Sequence, residues 1–167
     1  MLGWVGRIAP EKGLEDAARA AAIKGLPLSV WGFNENPDYR NAVIAAVPDC
    51  DFHWQGFLPT EKLQQQLGRC QALLVTPKWE EGFGINVLEA MACGVPVVAY
   101  RRGGPAETID SGITGILVDP DNINKLVTGI AESENIDRIK CRKQCEKRFS
   151  LNAYVERIEK WIKNVLQ

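Results

Sequence analysis

The chain has 167 residues, enough for one domain with a buried core. Its 46% apolar and 25% charged residues are those of a globular protein, and a net charge of −1 gives no overall pull toward nucleic acid or an anionic membrane. No apolar run approaches the roughly 20 residues of a membrane-crossing helix, and five cysteines, odd in number and without paired spacing, read as a reducing, cytosolic protein.

Strand-like and helix-like runs alternate from end to end. Leu2–Gly6 is a buried strand pattern, and Gly13–Lys24 an Ala-rich helix. Leu28–Phe33 is a strand and Tyr39–Ala46 a helix. Asp51–Gln55 is a strand, followed by a helix over Thr60–Gly68, with Thr60 expected as its cap and Glu61 in its first turn. Ala72–Thr76 is a strand, and Ile85–Cys93 a helix that ends at Gly94. Val95–Ala99 is a strand, Pro105–Asp110 a short helix, and Gly115–Val118 a short strand. Helices follow near Asn122–Ser133 and Ile136–Phe149. The last helix, Asn152–Leu166, is amphipathic, with Tyr154, Val155, Ile158, Trp161, Ile162, Val165 and Leu166 at helical spacing. Short, nearly all-apolar strands joined by helices predict an α/β fold, a doubly wound Rossmann-like parallel sheet of about six strands with C-terminal helices. The opening falls within a strand pattern with no signal peptide before it, so the expectation is a domain whose first half lies in a longer protein.

The unusual residues cluster just after strands, where an open α/β sheet binds its ligand. Glu81-Gly82-Phe83-Gly84-Ile85-Asn86-Val87-Leu88-Glu89 holds two carboxylates, two glycines and a helix start. Gly82 and Gly84 let a ligand approach the backbone. The helix start offers unpaired N–H groups to an anion, and Glu81 and Glu89 accept hydrogen bonds from hydroxyls on either side. Arg7, a planar fork, and Lys12, a mobile charge beside a helix start, suit phosphate. The combination asks for an anion in the middle of a ligand and hydroxyls at both ends, which a nucleotide diphosphate sugar satisfies. Glu89 lies among Leu88, Ala90 and Met91, so it is expected to be partly buried and in need of a partner.

Other signals carry less. Asp49-Cys50-Asp51 and Asp119-Pro120-Asp121 match D-x-D, but two acids alone hold Mg²⁺ weakly. Cys141 and Cys145 have no further soft ligands beside them. His53, the single histidine, lies within a strand and is expected to be packed. Neither G-x-G-x-x-G nor G-x-x-x-x-G-K-[ST] occurs. Arg138, Lys140, Arg142, Lys143, Lys147 and Arg148 form a basic run whose default is a solvated helix face and whose alternative is peripheral contact with anionic lipid.

The run Thr76-Pro77-Lys78-Trp79-Glu80-Glu81-Gly82-Phe83-Gly84, continuing through Glu89-Ala90-Met91-Ala92-Cys93-Gly94-Val95-Pro96-Val97-Val98-Ala99, resembles the retaining family-4 glycosyltransferases of the GT-B fold. Gly6-Arg7 with Lys12-Gly13 is similar to their phosphate-binding start, and Gly103-Gly104, Glu107, Gly112, Gly115 and Leu117-Val118-Asp119-Pro120 also fit. The resemblance implies the C-terminal, donor-binding domain, spanning residues 1–167, of an enzyme whose N-terminal acceptor domain is not in this chain. It implies that Arg7 and Lys12 bind the donor diphosphate, that Glu81 contacts sugar hydroxyls, and that these three carry the catalytic role. Gly6, Gly82, Phe83 and the Gly84-Ile85 backbone would line the donor, Glu89 would hold the ribose hydroxyls, and Gly56-Phe57 would lie near the base. It implies neither metal nor cofactor, and UDP-glucose and GDP-mannose both fit as donors. Lys78 departs from the small serine common there, and the last helix would leave an apolar face for the missing domain.

The expected function is transfer of a hexose to an acceptor hydroxyl by the longer enzyme, with this chain binding donor but not transferring. The alternatives are a nucleotide-sugar epimerase or glycan synthase on the same fold, or a non-catalytic interaction module.

Overall fold

The computed structural model describes residues 1–166. Its strands are β1 (Leu2–Val5), β2 (Leu28–Trp31), β3 (Phe52–Gly56), β4 (Ala72–Val75), β5 (Val97–Tyr100) and β6 (Gly115–Val118). They form one sheet in the order β3-β2-β1-β4-β5-β6, with every pairing parallel. Each element predicted from the sequence is present within a few residues of its expected bounds. β5 starts two residues late because Pro96 cannot donate to the ladder, although its carbonyl accepts from Leu73 N at 3.0 Å.

The helices are α1 (Leu14–Lys24), α2 (Pro37–Ala46), α3 (Thr60–Leu67), α4 (Ile85–Ala92), α5 (Gly104–Thr108), α6 (Ile123–Ser133), α7 (Arg138–Phe149) and α8 (Leu151–Val165). A short 3-10 turn, Pro10–Lys12, precedes α1 and was not foreseen. Asn36, Asn122, Asp137 and Ser150 cap α2, α6, α7 and α8 by accepting from backbone N–H groups. Thr60 is not a cap: it is the first helical residue of α3, after Pro59, and no side chain caps that helix.

The connections put α1, α2 and α6 on one face of the sheet and α3, α4 and α7 on the other, giving two apolar layers. The first holds Leu2, Trp4, Leu14, Leu28, Val30, Leu74, Leu126 and Ile130. Ala17, Ala18, Ala20 and Ala21 of α1 are fully buried in it, and their small side chains let α1 lie close to the sheet. The second layer holds Trp31, Leu67, Leu73, Val75, Val87, Met91 and Val97, with Cys141 and Cys145 of α7.

The edge strand β3 corrects one expectation. Phe52 and Trp54 stack on each other, 5.0 Å between centroids, and turn toward the core. His53 points to the other side, is exposed, and meets Asp51 at 3.3 Å, because an edge strand has only one covered face here. The basic run is also not uniformly solvated. Arg138 donates to the carbonyls of Gly94, Cys70 and Gly68 at 3.0, 3.1 and 2.7 Å. Arg148 donates to Thr108 O and Glu107 O and pairs with Asp110. Lys140, Arg142, Lys143 and Lys147 remain exposed. Helix α8 lies against α7 with no residue of its own buried, and Trp161 is 63% exposed.

Candidate functional site

Strands β1 and β4 are neighbours, and their following connections run to opposite faces of the sheet. A crevice opens between those connections, at the carboxyl edge. The segment after β1 brings Gly6, Arg7 and Lys12, and the segment after β4 brings Glu81, Phe83 and Gly84. Together with Val5, Ile85 and Asn86 they line one cavity of about 350 Å³. A second cavity of about 210 Å³ shares Val5, Gly6 and Arg7, and continues to Trp31, Gly32, Phe33, Phe57, Leu58 and Leu63. It is an apolar slot whose rim carries Phe33 and Phe57, 66% and 75% exposed.

Helix α4 begins at the first cavity. Gly84 occupies its N-cap with φ +74°, a conformation that excludes most side chains, and no side chain caps the helix. Val87 N donates to Asn86 Oδ1 at 3.0 Å, which leaves the N–H groups of Ile85 and Asn86 to meet an anion, with the partial positive charge of the helix start behind them. Gly82 leaves open space where a side chain would stand. Asn86 donates from Nδ2 to Val5 O at 2.8 Å and locks the start of α4 to the end of β1. Gly104 N donates to Glu81 O at 2.6 Å, so the β5–α5 connection supports the same loop from below.

The charges in the site are paired with one another. Lys12 Nζ lies 2.5 Å from Glu81 Oε2, with both side chains about four-fifths buried. The Trp79 indole covers that pair: its centroid is 5.0 Å from Lys12 Nζ, and its Nε1 donates to Glu81 Oε2 at 3.3 Å. Arg7 is half exposed and forks between Glu35 at 2.6 Å and Glu11 at 2.9 Å. An entering dianion would compete with these carboxylates for both cations.

Glu89 lies one turn along α4, half-buried. Burial alone raises its pKa above the ordinary carboxylate range; no cation or donor contributes to the shift. The geometry thus brings together Gly6, Arg7, Lys12, Glu81, Phe83, Gly84 and Ile85 around the first cavity and puts Phe57 in the adjoining slot, while Gly82 and Glu89 line neither. Gly56 ends β3 and accepts from Gly32 N at 2.9 Å, behind the slot. Of the D-x-D pairs, Asp121 is engaged by Arg102 at 2.7 Å and Lys78 at 3.0 Å, and Asp51 by His53. Among the described residues no group of three or more acidic, Cys or His side chains could hold a metal ion.

Sequence reasoning gave no role to Trp79, Asn86, Phe33 or Glu35. The signal for Trp79 was available: a large aromatic in a polar loop, two residues from a site carboxylate. Glu35 gave no local signal, since only the folded sheet places the end of β2 beside that of β1.

Comparison with known proteins gives the family and matches the fold. The family profile described as glycosyl transferases group 1 matches residues 1–152. The chain is 34% identical over 141 residues to a 2-deoxystreptamine N-acetyl-D-glucosaminyltransferase of Streptomyces fradiae, covering 80% of this chain and 33% of that protein. It is 32% identical over 132 residues to a GDP-mannose-dependent alpha-mannosyltransferase of Corynebacterium glutamicum, covering 79% and 30%. Among solved structures, HepE of Anabaena in complex with UDP and glucose superposes with a TM-score of 0.83 at 23% identity, over 98% of this chain and 48% of that one. The sucrose-phosphate synthase of Thermosynechococcus elongatus gives 0.83 at 22% identity, over 99% and 45%. The chain thus spans about a third of the curated relatives and about half of the solved ones. By the extent of the profile match, the chain belongs to the glycosyl transferases group 1 family.

Proposed function

We propose that residues 1–167 form the donor-binding half of a retaining, family-4-type glycosyltransferase that moves a hexose from a nucleotide diphosphate sugar to an acceptor hydroxyl. The observation that carries this reading is the meeting of Arg7, Lys12, Glu81 and the uncapped start of α4 around one cavity, beside an apolar slot rimmed by Phe33 and Phe57. The diphosphate takes the cations and the helix start, the sugar lies toward Glu81, the ribose toward Glu89, and the base enters the slot near Gly56-Phe57. In the transfer, the bond from the anomeric carbon to the diphosphate oxygen breaks, one to the acceptor oxygen forms with configuration kept, and the acceptor hydroxyl proton passes to the departing diphosphate. Negative charge grows on the departing diphosphate, and the α4 N–H groups stabilise it together with Arg7 and Lys12, which the dianion draws from their carboxylate partners. The acceptor enters from a second domain of the longer enzyme, whose closure excludes water. The partial coverage of the relatives and the uncovered apolar face of α8 support that second domain. The relatives' own donors and ligands, GDP-mannose in one case and UDP-glucose in another, support both bases.

The test is calorimetric titration of the chain with UDP, GDP and ADP, repeated on Arg7→Ala and Glu89→Ala. One nucleotide binds, each substitution weakens it by about tenfold or more, as expected for loss of a hydrogen bond to a charged group, and the chain alone transfers no sugar. Binding that ignores both substitutions, or robust transfer by the chain alone, overturns the proposal.

A further inference from the structure

The loop that carries Glu81 also carries a lysine with structural ties on either side of the crevice. Lys78 Nζ hydrogen-bonds the Asp16 carboxylate in the first turn of α1 and, at 3.0 Å, the Asp121 carboxylate in the turn before α6. Asp16 is 3% exposed and also accepts from Tyr100 Oη at 2.7 Å. Asp121, the one non-glycine with positive φ among the described residues, is gripped at 2.7 Å by Arg102, which also donates to Pro77 O at 2.8 Å. The backbones are joined as well. Lys78 N donates to Glu11 O at 2.8 Å, and Thr76 Oγ1 to Gly13 O at 2.7 Å. Gly13, at φ +65°, lies so close that a Cβ there would stand 1.9 Å from Thr76 O. Lys12 thus lies within one segment, and Glu81 within the other, of two stretches of chain clamped together beside them.

Burial disfavours the Lys78 ammonium, but Asp16 and Asp121 more than offset it and its pKa stays above the ordinary lysine value. Asp121 is held below the ordinary carboxylate range, first by Arg102 and then by Lys78. Lys78 and Asp121 are therefore both charged throughout the neutral range.

We infer that Lys78 is a positioning residue of the anion site: by tying Asp16 and Asp121 to the β4–α4 loop, it holds Lys12 and the start of α4 at the separation needed to act on one diphosphate. This inference rests on the donor-site reading above. Its partners account for the lysine charge, so Lys78 acts through Lys12 and Glu81 and not by contact with the ligand. A rival role, simple neutralisation of buried Asp16, is separable, because an asparagine at 16 removes the need for a counter-charge and keeps an oxygen for Tyr100.

The experiment measures melting temperature and affinity for UDP and GDP in the wild-type chain, Arg7→Ala, Lys78→Met and the double variant Lys78→Met/Asp16→Asn. Methionine keeps most of the lysine stem, so the loss is chiefly of charge. Lys78→Met melts lower and binds the preferred nucleotide about tenfold more weakly, the scale of a lost charged hydrogen bond. The double variant recovers the melting temperature while its affinity stays about tenfold down. If affinity returns with melting temperature, or if neither returns, the positioning role is overturned. Should Lys78→Met fail to fold, the double variant carries the test by itself. If the wild type binds, Arg7→Ala does not and the Lys78 variants bind normally, only the role of Lys78 falls. If the wild type binds neither nucleotide, the donor-site reading falls and the role of Lys78 with it.

Discussion

At the scale of single residues, helix α4 and the loop before it hold two kinds of acid. Glu81 is satisfied by Lys12 and Trp79, whereas burial leaves Glu89 with a raised pKa that no partner offsets. A carboxylate whose folded-state pKa is raised weakens the fold as it ionises: the penalty is absent below its unfolded pKa, grows between the two values, and is complete above the folded one. Glu89→Gln therefore raises the melting temperature at neutral pH, and the gain shrinks to nothing as the pH falls below the ordinary glutamate range. The same substitution weakens nucleotide binding by about tenfold if Glu89 accepts ribose hydroxyls. Thermal melts across pH, beside titration, check both parts; a variant less stable at neutral pH contradicts the desolvation argument. The partial burial of Glu89 was legible from its apolar neighbours, while the exposure of His53 was not. A strand pattern does not say which strand will be at the edge of the sheet.

Helices show the same division. The start of α4 was legible because Gly84 precedes an apolar run, and the amphipathic stripe of α8 because its period is helical. The basic run on α7 was misread in part because charge counts do not reveal carbonyls that lie across the fold. Arg138 is the clearest case, since its guanidinium closes the end of α3 and the entries to β4 and β5 through Gly68, Cys70 and Gly94. Arg138→Ala leaves those carbonyls without their donor and should cost about 2 kcal/mol. For a domain of this size that is a fall of roughly 4–8 °C in melting temperature. Nucleotide affinity should be unchanged, because the clamp lies at the opposite end of the sheet. Differential scanning calorimetry tests the first statement and titration the second.

For the whole molecule, the decisive feature is the strand order. The change of direction between β1 and β4 is what makes a crevice, and a ligand seated there bridges the two halves of the sheet. Nucleotide at 100 times its Kd should stabilise the fold by about 2.7 kcal/mol. Hydrogen exchange should slow together in residues 6–13 and 77–86, while α7 and α8 change little. Protection confined to one side of the crevice would argue against a bridging ligand.

The sequence by itself determined the class of fold, the count of strands, the places of the helices to within a few residues, and the loops that carry Arg7, Lys12, Glu81 and Gly84. Those are local matters, set by hydrophobic period, glycine positions and residues that follow strands. Tertiary structure alone decided that β1 and β4 are neighbours, that Lys12 pairs with Glu81 under Trp79, and that Lys78 ties α1 to the β4–α4 loop. Those contacts join residues more than sixty positions apart. No local pattern encodes them, because they exist only once crossovers have stacked the strands and burial has required each charge to find a partner.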